Sequence, residues 1–217
     1  MIREPLSDRK CNSEEKYVPK GHEKNSDGTY TVTFENGFAG VFSPDEYLKY
    51  DLFASGEENR LSYAELIYDV NFCRCRAMSL SLFKASPKPA AVVRMKMVSK
   101  GFSETVVDDA LQALAGEGEI DDRLFAEKYA RDRAEKGKSS GNLVARELEM
   151  KGVDPKIAEE AVKRFFTDDR AVARKIAEKK AANGDGYEKI ARYLIGKGFR
   201  QGLVRDILDE IFMTSGL

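Results

Sequence analysis

Two acidic pairs, Asp121-Asp122 and Asp168-Asp169, are the residues best suited by type to hold a hard cation, because adjacent carboxylates can share one divalent ion. Both pairs stand where helical patterns begin. There a carboxylate accepts backbone N–H bonds and faces the positive end of the helix dipole. Capping is therefore the expected role, and Asp121→Ala should lower stability by about 1 kcal/mol. Cys11, Cys73 and Cys75 are an odd number without a paired framework, as suits ordinary reduced thiols. Cys73 and Cys75 lie two apart on a predicted helix, so their side chains leave from different faces and do not chelate one ion together.

Other chemistry is thin. His22 is the only histidine, with no partner visible in the sequence to make it a base or a ligand. There is no GxxxxGK[ST] phosphate loop and no nucleophile elbow. Gly116-x-Gly118 has neither a preceding strand nor a third glycine opening a helix, so it reads as a connector. The pattern is that of a non-enzyme without cofactor or metal.

The basic residues form the richer constellation. Residues 123–146 carry Arg123, Lys128, Arg131, Arg133, Lys136, Lys138 and Arg146 against three acids, and residues 163–200 carry 11 basic against 5 acidic residues. Charge clusters ordinarily face water on solvated helices. Their recurrence at matching positions also fits a graded positive surface for an acidic partner.

What positions these residues is a repeat. Lys100-Gly101, Lys151-Gly152 and Lys197-Gly198 are each followed by apolar residues five, six, nine, ten and thirteen positions past the glycine. These are Val106, Val107, Ala110, Leu111 and Leu114; then Ile157, Ala158, Ala161, Val162 and Phe165; then Leu203, Val204, Ile207, Leu208 and Ile211. Glycine spacings of 51 and 46 residues suit stacked helical units that cannot bury their apolar faces alone.

Each unit divides into three helices by its punctuation. In the middle one the first helix is predicted over 121–136 and the second over 140–151, ended by Gly152. The third starts at Asp154-Pro155, an N-cap followed by the residue that needs no N–H partner. Asp168-Asp169-Arg170 aligns with Asp121-Asp122-Arg123. The opening unit, with a long helix over 61–84 and a second starting at Ser86-Pro87, lacks the acidic pair. Arg146 and Arg192 stand five residues before their Lys-Gly pairs, where the first unit has Met95.

Ahead of the array, residues 1–28 read as a flexible polar leader and residues 29–56 as a β-hairpin extension. Asn36-Gly37 predicts a type I′ turn. That pairing sets Phe34 against Ala39 and Val32 against Val41, with Tyr30 on the same face and Phe38 and Phe42 on the other. A lone hairpin is marginal, so it should pack on helices or gain a third strand. The helical repeats then fall at 61–116, 121–166 and 168–212.

At 217 residues and 42% apolar, the chain is long and apolar enough to fold. The first sixty residues hold 8 Lys/Arg against 12 Asp/Glu and the rest 28 against 25, so the two parts differ in charge. No run approaches a membrane span and no signal pattern opens the sequence, which reads as a cytoplasmic protein with no membrane partner.

The run Ile120-Asp121-Asp122-Arg123-Leu124-Phe125-Ala126, with Tyr129, Arg133, Gly137-Lys138, Arg146-Glu147-Leu148 and Lys151-Gly152-Val153, resembles the bacterial RecX regulatory proteins over roughly residues 61–212. The resemblance implies a mainly α fold, three tandem three-helix repeats in an elongated array, here with a small N-terminal β-hairpin extension. It also implies a non-enzymatic monomer that binds the RecA recombinase filament and restrains its ATPase and strand exchange in recombination, DNA repair and the SOS response. Arg131, Arg133, Lys136, Lys138, Arg146, Lys151, Arg192 and Lys197 are then the expected partner contacts, with weak non-specific DNA affinity beside them.

The alternative is a tandem helix-turn-helix-like nucleic-acid binder. Against it, the third helices carry Asp108, Asp109, Glu159, Glu160, Asp206, Asp209 and Glu210, whereas a helix between phosphates should be basic.

Overall fold

The computed structural model describes residues 5–6, 16–54 and 61–214. Cys11 lies outside them, as does most of the leader ahead of residue 16. The chain is mainly helical with a small antiparallel sheet, and it forms two compact units: residues 1–85 with 93–119, and residues 86–92 with 120–217.

In the first unit, β1 (Pro19–Lys24), β2 (Tyr30–Phe34) and β3 (Ala39–Phe42) make a sheet in the order β1-β2-β3. β1 falls within the stretch read as a loose leader. It is held because β2 had an open edge and because Tyr17, fully buried, donates its hydroxyl to the Tyr50 carbonyl at 2.7 Å. His22 on β1 does have a neighbour: its ring meets that of Tyr47 edge-on at 5.3 Å.

The hairpin register differs from the expected one by a residue. Val32 pairs with Gly40, Thr33 with Ala39, and Tyr30 with Phe42. Phe34 N–H donates to the Phe38 carbonyl, Gly37 N–H donates to that of Phe34, and Gly37 alone takes positive φ (80°) while Asn36 accepts the Phe38 N–H through its side chain. This is a three-residue loop with a glycine bulge rather than a two-residue type I′ turn. One residue of slip exchanges the faces. Phe42 is fully buried beside Val32 and Phe34, whereas Val41 faces solvent, so Phe38 and Phe42 form no exposed face.

α1 (Pro44–Lys49) follows, with a capping box between Ser43 and Glu46. The sheet packs on α2 (Tyr63–Ala85) through Phe34 and Tyr63, whose rings meet edge-on at 5.6 Å. Arg74 of α2, nearly buried, reaches back to both Glu46 carboxylate oxygens at 2.8 and 2.7 Å and to the Val41 carbonyl at 2.8 Å. α3 (Ala90–Ser99) and α4 (Glu104–Gly116) complete the first helical trio, and α3 starts three residues past Pro87 because Pro87 and Pro89 precede it.

The second unit contains α5 (Asp122–Lys136), α6 (Gly141–Met150) and α7 (Pro155–Phe165), then α8 (Asp169–Ala182), α9 (Tyr187–Gly196) and α10 (Gln201–Thr214). α5–α7 close on a core of Ala126, Ala130, Val144, Leu148, Val153, Ala158 and Ala161. α8–α10 close on Ala173, Ala177, Ile190, Leu194, Phe199, Val204, Ile207 and Leu208. Each first helix buries two small residues one turn apart: Cys75 and Ser79, Ala126 and Ala130, Ala173 and Ala177. Small residues there leave room for the bulky side chains of the other two helices.

The recurring Lys-Gly phrase is a Schellman cap on each second helix. Gly101, Gly152 and Gly198 sit at φ 95°, 84° and 84°, a region closed to most side chains. The residue after each glycine returns its N–H to the last turn: Phe102 to Met97, Val153 to Leu148, Phe199 to Leu194. Phe102, Val153 and Phe199 are all buried. The phrase therefore both ends a helix and starts the next piece of core.

Candidate functional site

α6 buries Val144 and Leu148, which turns Arg146, midway between them, to solvent. Arg192 holds the same place on α9 between the buried Ile190 and Leu194. Neither arginine has a carboxylate partner among the described residues, and the same is true of the exposed Lys136 and Lys138. These four are the expected contacts that remain available as free cations.

The other four are engaged. Arg133 on α5 donates to Glu147 on α6 at 2.5 Å, and Tyr129 donates its hydroxyl to the same carboxylate at 2.9 Å. Burial and that carboxylate together hold the Tyr129 hydroxyl above its usual pKa. The Lys151 ammonium lies 5.6 Å from the Tyr129 ring centre, and that of Lys197 lies 5.4 Å from Tyr193, both within cation–π range. Arg131 sits 5.7 Å from the Phe165 ring. Lys180, at the place of Arg133 in the third repeat, lies 4.3 Å from Tyr193 and pairs with Asp185 at 2.9 Å. The aromatic faces fix where each ammonium group points.

The acids of the third helices are largely matched within the fold. Asp108 pairs with Arg94, Asp109 accepts from Tyr68, Glu160 pairs with Arg123, Asp209 accepts from Tyr187, and Glu210 pairs with Arg170 and Arg174. Internal pairing removes much of the negative charge that sequence counting assigns to those helices.

The acidic pairs divide their work. Asp121 and Asp168 cap their own helices, accepting from Leu124 N–H at 2.8 Å and Ala171 N–H at 2.9 Å. Asp122 and Asp169 do something the sequence did not signal. Each reaches the start of the preceding repeat's second helix: Asp122 accepts Ala90 N–H at 2.9 Å, and Asp169 accepts Gly141 N–H at 3.1 Å. The Schellman glycine of the same repeat closes on that turn. A Cβ on Gly152 would stand 2.3 Å from the Ala91 Cβ, and one on Gly198 2.6 Å from the Leu143 Cβ. Ser140 N–H adds a bond to the Lys197 carbonyl at 3.0 Å.

Burial pushes both joining carboxyls above the ordinary aspartate range, against the pull of the amide each accepts and, for Asp169, of Arg200. These are structural joints. Among the described residues no group of three His, Cys, Asp or Glu side chains is disposed to hold a metal ion, and no helix is long and apolar enough to cross a membrane. The hint available in sequence was the alignment of both aspartates between repeats, although a cap needs only one.

Comparison with known proteins agrees with this architecture. Residues 121–162 match the second three-helix domain of RecX. A regulatory protein RecX of Haemophilus influenzae is 30% identical over 124 residues, which cover 54% of this chain and 82% of that protein. The RecX of Bacillus licheniformis is 25% identical over 202 residues, covering 89% of this chain and 77% of the relative. A crystal structure of a regulatory protein RecX superposes with a TM-score of 0.64 at 18% identity, over 89% of this chain and 99% of that one. The RecX structure from Lactobacillus salivarius gives 0.57 at 21% identity, over 66% and 97%. At those identities the two structures speak to the fold.

Proposed function

This chain belongs to the RecX family of regulatory proteins, and on that premise we propose that it binds the RecA recombinase filament and restrains ATP hydrolysis and strand exchange in recombination, DNA repair and the SOS response. It does so in the cytoplasm as a monomer, without catalysis of its own. The observation that carries the reading is the matched pair Arg146 and Arg192, exposed on equivalent second helices and free of carboxylate partners among the described residues. Lys136 and Lys138 extend the same unpaired charge. Lys151 and Lys197, steadied by tyrosine rings, supply oriented cations at the ends of those helices. Cations placed this way favour an anionic groove and quicken encounter with it.

The test is the double variant Arg146→Glu, Arg192→Glu. Helicity by circular dichroism should be unchanged, while inhibition of filament ATPase falls. Undiminished inhibition overturns the assignment. Binding in moderate salt to a nucleotide-loaded filament and to bare DNA discriminates the other class: equal, strong binding to DNA alone points instead to a tandem nucleic-acid binder.

A further inference from the structure

The joint between repeats has two parts, an acceptor at the start of one first helix and the Schellman glycine of the same repeat. Its occupant is the opening turn of the preceding second helix, as in Asp122 with Ala90 and Gly152 with Ala91. A shift of 51 residues toward the N-terminus, the spacing of Gly152 from Gly101, places Asp122 on Asn71 and Gly152 on Gly101. The first repeat therefore carries a two-part socket at the equivalent positions, with Asn71 inside α2 rather than at a helix start.

The socket is filled. Leu6 N–H donates to Asn71 Oδ1 at 2.7 Å, and Asn71 Nδ2 donates back to the Leu6 carbonyl at 3.2 Å. The ring of Pro5 lies 3.4 Å from where a Gly101 Cβ would stand. Asn71 itself is 8% exposed, so the clamp works away from competing water.

The change from aspartate to asparagine matches the change of occupant. A helix start offers only N–H groups, which a carboxylate satisfies. A residue outside a helix offers both N–H and C=O, and an amide side chain, unlike a carboxylate, donates and accepts at once. Proline ahead of that residue loses no hydrogen bond, having no N–H, and its ring packs at ordinary contact distance beside Gly101.

We propose that Asn71 and Gly101 form a peptide-binding site for a Pro-Leu segment, occupied here in cis by residues 5 and 6. The leader is thus an intramolecular ligand of the first repeat. Tethering gives it an effective concentration on the order of mM, so a clamp of modest intrinsic affinity stays filled.

The experiment uses a fluorescent peptide of residues 1–10 with two proteins, the full chain and a chain lacking residues 1–10. The peptide should bind the shortened chain saturably, bind the full chain at least about tenfold more weakly because the site is already taken, and lose binding when Asn71→Leu is added. Failure to bind a shortened chain of normal helicity overturns the proposal, as does equal binding to the Asn71→Leu protein. Should the shortened chain unfold, amide exchange in the full chain decides. Leu6 N–H should exchange slowly in the natural sequence and at the free-peptide rate in Asn71→Leu, and fast exchange in the natural sequence overturns the proposal.

Discussion

Asp122 accepts the Ala90 amide hydrogen at 2.9 Å, so helix α5 provides the cap that Pro89, directly before α3, has no side-chain acceptor to provide. A side chain from one repeat thereby completes a helix of another.

Asp122→Ala should cost about 1–2 kcal/mol, because it leaves that amide without its acceptor. Asp122→Asn should be close to neutral at pH 7, since the amide oxygen still accepts. Burial raises the Asp122 carboxyl above its unfolded value of about 3.9, helped by neighbouring Asp121, and so the folded chain holds its proton more tightly. The associated stabilisation is complete below that unfolded value and is lost as pH rises through the raised folded one. Urea midpoints from pH 4 to 7 should thus shift in favour of the Asp122→Asn protein over the natural one as pH rises; parallel curves contradict the buried-carboxyl account.

Gly152→Ala and Gly184→Ala both place a side chain at positive φ, 84° and 83°, but only the first meets an obstacle. Gly184→Ala should cost about 1 kcal/mol from backbone strain. Gly152→Ala adds a clash with Ala91 and should cost about 3 kcal/mol in all. Thermal unfolding of the two proteins checks the ordering.

Arg133 and Arg146, alike in sequence, should separate on substitution by methionine. Arg133→Met breaks a part-buried pair with Glu147, whose side chains are 29% and 22% exposed, and should cost about 1 kcal/mol. Arg146→Met should leave stability within about 0.5 kcal/mol and show its effect in partner binding alone.

Acid should act on the first unit with the opposite sign. Burial raises the Glu46 carboxyl, but hydrogen bonds from Arg74 and Ser43 outweigh that and hold it below the usual range. Its contribution is present above the unfolded pKa of about 4.3 and disappears as pH falls through the folded value. Arg74→Met strands a largely buried carboxylate and should cost about 3 kcal/mol at pH 7. In the natural chain the near-ultraviolet tyrosine signal should persist at neutral pH and fade in acid; Arg74→Met should weaken it at both.

Helix ends were readable because caps are local chemistry. Asp121, Ser140 and Asp154 each cap the helix their position suggests, and Gly152 ends α6. The hairpin register was not, since Asn-Gly serves two loop lengths and the choice depends on burying Phe42 rather than Val41. Strand β1 escaped notice because Pro19–Lys24 is polar and owes its place to Tyr17 and the open edge of β2. Among the basic residues, sequence located the charges without telling which were already matched. Arg133 differs from Arg146 through Glu147 and the Tyr129 ring, contacts fixed by how α5 meets α6 and by α5 itself.

The joint between repeats also has a genetic reading. An in-frame duplication of residues 121–167 copies one acceptor aspartate and one second-helix start together, so the extra unit arrives with matching ends on both sides. Duplicating residues 61–116 copies Asn71 instead, which lies well inside α2 rather than at a helix start as Asp122 does, so the new seam does not repeat the interior geometry. Lineages that gain units of this fold by unequal crossing-over should therefore gain interior ones, while the first unit stays single.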